Sequence, residues 1–279
     1  MPRVTALNVY PVKSCRGLAV TSAAVDARGF AGDRRFLVVD ADGRFLTQRV
    51  QPRMALIETA FTAGDLILAS SGHGSVRVPL QPRTQNSEPR TVTVWRDTVT
   101  ADDCGDEAGA WLSEVLALPC RLVRAGAAYA RPVAAHKLPD PLSRGVAEGR
   151  GVSHEVSFAD AFPFMLLSEA SLADLNARLA TPLPMNRFRP SLVVSGTAAY
   201  AEDAWGRFRI GGVIFHGATR CGRCVVTTTD QLTAARAAEP LRTLATYRRD
   251  AEGDVMFGRN LVHETKTGRV GVGDEVEFL

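Results

Sequence analysis

The sequence predicts a mainly β protein (α+β). Three observations carry this: short apolar runs, turn chemistry between them at intervals of about ten residues, and few helical periodicities in a 279-residue chain. Such spacing points to antiparallel barrels or sandwiches. The length allows one large or two ordinary domains.

Val4 to Val9 alternates and reads as a strand, broken by Tyr10-Pro11-Val12-Lys13-Ser14-Cys15-Arg16-Gly17. Pro11 keeps Tyr10 extended and Gly17 closes the turn. Val20 to Asp26 and Phe36 to Asp40 follow as strands around the turn Gly29 to Arg35. Asp42-Gly43 is a strong hairpin signal. Further strands are expected at Leu56–Phe61, Leu66–Ala69, Val76–Val78, Val92–Trp95 and Thr98–Ala101, with a polar loop over Gln81–Arg90.

Asp106 to Leu116 has apolar residues at helical spacing and acids in its first turn, and Pro119 stops it. Arg121–Val123 returns to strand. Gly126 to Gly151, rich in Pro, Gly and Arg, reads as a long loop of the kind that edges a site. Met165-Leu166-Leu167 is strand-like. Ser168 is placed as an N-cap for a helix presenting Leu172, Leu175 and Leu179. Leu192–Ser195 is a strand, and Phe208–Ile210, Gly211-Gly212 and Val213–Phe215 form a two-residue hairpin. Pro240 to Tyr247 is a short helix, and Leu261–Glu264 and Glu275–Leu279 are strands.

Composition narrows the function classes. With 33 basic and 30 acidic residues the net charge is +3, which makes no case for a nucleic-acid or membrane partner. No apolar run approaches the ~20 residues of a membrane span, and the N-terminus shows no signal-peptide pattern. Five cysteines without framework spacing fit a reducing, cytoplasmic setting. The five histidines are scattered and receive no role.

The stretch with most chemistry is Arg220-Cys221-Gly222-Arg223-Cys224-Val225-Val226-Thr227-Thr228-Thr229. Flanking guanidiniums favour a thiolate, the form that attacks or ligates. The β-branched run after Cys224 reads as a strand. Four readings stay open on chemistry alone. Half a zinc site lacks a second close pair of ligands. A dithiol redox pair would normally open a helix after a strand, whereas here a strand is expected. A single thiolate on a soft metal is the third reading, and two packing cysteines the fourth. Two other pieces suit an anion: Lys13 beside Ser14, and Arg187 with Arg189, which would point the same way in an extended segment.

Seven segments together resemble the MOSC-domain family: Tyr10-Pro11-Val12-Lys13-Ser14-Cys15, Asp33-Arg34, Leu167-Ser168-Glu169-Ala170-Ser171-Leu172, Phe188-Arg189-Pro190, Tyr200-Ala201-Glu202-Asp203, Cys221-Gly222-Arg223-Cys224 and Val270-Gly271-Val272-Gly273-Asp274. They run in register from about residue 4 to the C-terminus. They are similar to the amidoxime reducing components of mitochondria and the YcbX-type reductases of bacteria.

The resemblance implies a small β-rich N-terminal domain over residues 1–118 and a MOSC β-barrel with peripheral helices over 125–279, the two intertwined. It implies a molybdenum cofactor (molybdenum–molybdopterin) lying between them, with Cys224 as metal ligand and catalytic residue. The implied cofactor-binding residues are Lys13, Ser14, Arg34, Ser168, Arg187, Arg189, Gly222, Arg223 and Asn260. The implied activity is reduction of small N-hydroxylated substrates with electrons from a separate donor protein of flavin, iron–sulfur or cytochrome type. The alternative is a sulfur carrier with a persulfide on Cys224. Pyridoxal phosphate binding is a looser association of the family. Three departures stand out. The membrane anchor of the mitochondrial relatives has no counterpart, and no cysteine follows Cys224 to build an iron–sulfur domain. Gly222 and Asn260 stand where the mitochondrial pattern has serine and tyrosine.

Overall fold

A computed structural model describes residues 1–81, 89–140, 142–148 and 153–279. The expected 81–90 loop lies mostly outside these, as do residues 149–151 of the expected long loop. The protein is mainly β, as the turn spacing predicts. Its largest sheet has eight strands, in the order Val276–Phe278, Arg207–Ile210, Val213–Gly222, Met256–His263, Phe164–Ser168, Leu192–Ser195, Arg3–Val9 and Leu18–Val20. Neighbours in it pair antiparallel, except Phe164–Ser168 with Leu192–Ser195.

The first residues of the chain are therefore built into a sheet made chiefly by its last third. Ser22–Asp26 likewise pairs with Arg269–Gly271. Alternation fixes this: Val4, Leu7 and Val9 are buried and pack with Phe164, Leu192, Phe208, Phe215 and Leu261 in one core. A second core surrounds the helix Asp106–Leu116. There Trp111, Leu112 and Val115 meet Val38, Leu66, Val76 and Leu122. Cys15 and Cys120 belong to that core. A third cluster joins Leu37, Val92 and Val123 to Tyr129 and Phe158, so residues 36–124 are cemented to the later half.

Four expectations are corrected. Val225–Thr228 is a 3-10 turn rather than a strand. Two threonine hydroxyls explain it: Thr227 Oγ1 donates to the Cys224 carbonyl (2.9 Å) and Thr228 Oγ1 to that of Val225 (2.8 Å), holding the helical sense. The strand lies ahead of Cys224 instead: it is Val213–Gly222 and includes Cys221. Trp95 falls outside its strand: Val94 pairs with Asp97, which leaves Trp95-Arg96 as a two-residue hairpin turn. The segment after Gly126 is not wholly loop, since it contains a 3-10 turn at Ala135–Lys137 and a helix at Leu142–Ala147. Finally, Met185–Arg187 is a 3-10 turn, so Arg187 and Arg189 do not share a direction. Among the described residues, no helix is long and apolar enough to cross a membrane.

Candidate active site

Between the eight-stranded sheet and the N-terminal half lies an open cleft around a cavity of about 160 Å³. Lys13, Ser14, Arg34 and Arg49 enter it from the N-terminal half. Arg189, Cys221, Gly222, Arg223, Cys224 and Asn260 come from the later half. Ala159 to Met165 forms an apolar flank interrupted by Asp160. Neither half contains the site alone.

Local backbone geometry at these residues is unusual. Seven described non-glycine residues have positive φ; Ser14 (69°), Arg34 (47°) and Arg189 (54°) line the cleft, and Trp95 (60°) adjoins it. Each such residue costs about 1–3 kcal/mol and is kept only where the surroundings over-determine it. Here the two N-terminal loops brace one another. The Arg34 amide donates to the Tyr10 carbonyl (2.7 Å), and the Tyr10 amide to Asp33 Oδ1 (2.7 Å).

The electrostatics are lopsided. The Arg34 and Arg189 guanidiniums both lie 4.3 Å from the centre of the Tyr10 ring. Burial pushes the Tyr10 phenol up, against the pull of Arg189 and Arg34. Arg34 has Asp33 as a partner at 2.5 Å. The Arg189 guanidinium has no hydrogen bond or ion pair among the described residues, and desolvation lowers its pKa. Arg223 donates to the Phe188 carbonyl (2.7 Å) and to Cys221 Sγ (2.9 Å), while its Nε is buried without a partner. Two cations on one aromatic ring, one of them unpaired, form a receptor for a multiply charged anion.

Lys13 is less free than its place in the sequence implies. Its ammonium donates to the Phe158 carbonyl (2.7 Å) and to Asp160, leaving one of three N–H groups. Burial lowers the Lys13 pKa and Asp160 pulls it back. At Asp160, whose side chain is exposed on its outer edge, desolvation by the cleft wall pushes upward. The Lys13 charge and hydrogen bond, then Arg49 and the Trp95 N–H, outweigh it and hold the carboxyl well below the usual range.

Two expected site residues stand elsewhere. Ser168 is fully buried as the N-cap of the helix Glu169–Asn176: its Oγ accepts from the Ser171 amide (3.0 Å), and Ser171 Oγ donates to Glu202 (2.6 Å). Its hydroxyl is turned away from the cleft lining. Arg187 is buried too and clamps the segment after Cys224, donating to the carbonyls of Thr227 and Thr228 at 3.0 Å each. It supports the site from behind. Sequence reasoning passed over Arg49 and Asp160, whose polarity alone did not separate them from surface charge.

The cysteines divide clearly. Burial pushes Cys15 and Cys104 up to about 12, and raises Cys120 too, so these are neutral packing thiols. Cys221 and Cys224 line the cleft. Among the described residues no three His, Cys, Asp or Glu side chains are grouped to hold a metal, which leaves the half-zinc reading without support. The geometric objection to a dithiol pair weakens, because Cys221 ends a strand and Cys224 stands at the start of a 3-10 turn.

The residues present fit a phosphate-bearing metal cofactor. They offer one unpaired guanidinium, one orphaned guanidinium N–H and a thiol in a single cleft. The chain is similar to known proteins along most of its length. Residues 1–119 match the MOSC N-terminal beta barrel domain and residues 153–277 the MOSC domain. The chain is 34% identical over 289 residues to mitochondrial amidoxime-reducing component 1 of Homo sapiens, covering 99% of this chain and 82% of that protein. The Danio rerio protein of the same name is 37% identical over 257 residues, covering 88% and 74%. The molybdenum cofactor sulfurase of Danio rerio is 34% identical over 279 residues, covering 94% of this chain but 32% of that longer protein. With both of its domains matched and such relatives aligned along nearly its whole length, the chain belongs to the MOSC-domain family.

Proposed function

We propose that the protein is a molybdenum-cofactor-dependent oxidoreductase that reduces N-hydroxylated compounds. The observation that carries this reading is the convergence of Cys224 and the underpaired cations Arg189 and Arg223 on one cleft, together with the names of its relatives. In this reading Cys224 supplies the protein thiolate to the metal. Arg34, Arg189 and Arg223, with Ser14, Asn260 and the remaining N–H of Lys13, hold the cofactor's anionic and polar edges. When bound, the cofactor supplies the two-electron chemistry. For an amidoxime, the N–O bond breaks, two electrons and two protons are taken up, and amidine and water leave. The electrons come from a separate reduced donor protein.

The chain's own contribution is to bind and orient. Phe162, Pro163 and Phe188 wall the cleft with apolar surface, keeping water away from the reacting edge. Arg187 fixes the turn that presents Cys224. Lys13 Nζ, an ammonium made more acidic by burial, is suited to hand on one of the protons.

A sulfur-carrier reading is kept because the sulfurase relative aligns with 94% of this chain. One experiment separates the two. Protein purified from a molybdenum-replete host is expected to carry about one molybdenum per chain, and Cys224→Ser to lose it, by elemental analysis. Mass spectrometry showing one added sulfur on Cys224 and no molybdenum supports the carrier reading instead. Molybdenum-loaded protein that turns over no N-hydroxy compound with a reduced donor overturns the reductase.

A further inference from the structure

The outer part of the cleft differs from the inner part. The inner cations are well covered, with 14% of the Arg34 side chain exposed. Farther out, exposure rises to 26% at Arg49 and 56% at Asp160. The charge balance changes as well. Arg49 and Asp160 face each other at 3.5 Å and Lys13 also pairs with Asp160, so the outer part does not call for another anion. It offers a planar donor fork and a carboxylate acceptor side by side.

Trp95 fastens this pair. Its indole N–H donates to Asp160 Oδ1 at 3.2 Å, and the Arg49 guanidinium lies 4.4 Å from the centre of its ring. Phe45 stands on the same aromatic group, with ring centres 5.0 Å apart. Trp95 nevertheless occupies the worst backbone position for its shape. It is the first residue of a two-residue hairpin turn, at φ 60°, where such turns favour Asn, Asp or Gly. It is also 40% exposed, so burial of the indole does not account for it. A strained, half-exposed tryptophan aimed at a cleft carboxylate is explained by what it holds in place.

We propose that Arg49 and Asp160, held by Trp95, form a substrate-selecting rim that recognises flat N-hydroxylated amidines by their edge. An amidoxime presents an NH₂ donor and an oxime acceptor in one plane. Asp160 accepts from the first and Arg49 donates to the second. The indole and Phe45 supply the apolar backing for an aromatic substituent. Trp95 is a positioning residue, acting through the other two. The inference rests on the reductase reading and assigns the residues that select the substrate at that same site.

The test compares cofactor-loaded parent, Trp95→Gly and Trp95→Phe. Glycine fits the turn's backbone, so Trp95→Gly is expected to keep the parent's melting temperature within a few degrees. Its KM for benzamidoxime is expected to rise about tenfold while kcat changes less than twofold. The ratio of KM for benzamidoxime to KM for free hydroxylamine is expected to shift at least fivefold, because hydroxylamine has no amidine edge. Trp95→Phe keeps a ring under Arg49 and is expected to recover KM to within about threefold of the parent. Equal changes for both substrates, or loss of kcat alone, overturn the rim. Benzamidine, the product itself, is an amidinium with donors only, so it probes the Asp160 half of the rim and gives a readout free of turnover. By calorimetry its Kd is expected to weaken at least fivefold in Trp95→Gly. If the loaded parent reduces nothing, the reductase reading fails and benzamidine decides the rim. Weakening in the variant supports the rim; no binding to the parent, or equal binding to both, overturns it.

Discussion

Arg189 shows why this cleft is poised for an anion. A half-buried guanidinium without an acid partner is costly, and a left-handed backbone at a non-glycine residue adds to the cost. Both are accepted at one position, over a ring that already carries Arg34. Replacing Arg189 by glycine relieves the backbone while removing the charge. The relief and the lost cation–π contact are each about 1 kcal/mol, so stability is expected to stay within about 1 kcal/mol of the parent. Cofactor retention is expected to fall at least tenfold. Molybdenum content and a melting curve on the same sample check both halves. A change in stability with full retention would assign Arg189 to the scaffold.

The sequence marked Arg189 and Arg187 as a pair, and only one faces the cleft. Their separation was legible; their directions were not, because a 3-10 turn intervenes and rotates one side chain into the Thr227 and Thr228 carbonyls. Asp160 and Arg49 were illegible for a related reason. Nothing within a few residues of either names the other, and they meet across 111 positions of sequence (160 − 49).

At the scale of elements, capping chemistry was readable and β-branching misled. Ser168 as N-cap followed from a serine standing ahead of the helical face Leu172, Leu175 and Leu179, and the helix Glu169–Asn176 starts there. The same observation leaves Ser168 outside the cleft lining. Ser168→Ala is expected to cost about 1–2 kcal/mol of stability through the lost cap, with molybdenum content and kcat/KM unchanged per folded molecule. Calorimetry beside a turnover assay checks this, and loss of cofactor without loss of stability would return Ser168 to the site. For Val225–Thr228 the strand propensity was real, yet the two threonines found backbone acceptors three residues back. Local hydrogen bonding outweighed a preference that rests on having a neighbouring strand to pack against.

The whole molecule carries a basic cluster of two buried histidines and a half-buried lysine beside the strand Met256–His263, away from the cleft lining. The Lys266 ammonium lies 3.1 Å from His154 Nδ1 and donates to the His263 carbonyl at 2.8 Å. Burial first, then Lys266, pushes both histidines down to about 4. In the unfolded chain each takes up its proton near pH 6.5, while in the fold each stays neutral until about pH 4. The unfolded state therefore binds more protons in that window, and stability falls as pH drops from about 6.5 toward 4. The upper figure is roughly 3 kcal/mol for each histidine. Melting temperature measured from pH 7.5 to 4.5 is expected to fall steadily, and His154→Gln to flatten the slope. A flat parent profile would mean the two histidines charge inside the fold.

Several features were fixed by the chain alone: its β class, the helix Asp106–Leu116, the two-residue hairpin at Gly211-Gly212, the Ser168 cap, and the motif cysteines with their basic neighbours. Each depends on residues within about ten positions of one another, which is the reach of turn chemistry, capping and hydrophobic alternation. Other features came only with the tertiary structure. The first strand enters a sheet formed by the last third of the chain, one tyrosine carries two arginines, and a tryptophan in a strained turn holds an acid from 65 residues away. These are contacts between distant segments, set by which buried faces pack together. Local sequence describes each face without naming its partner.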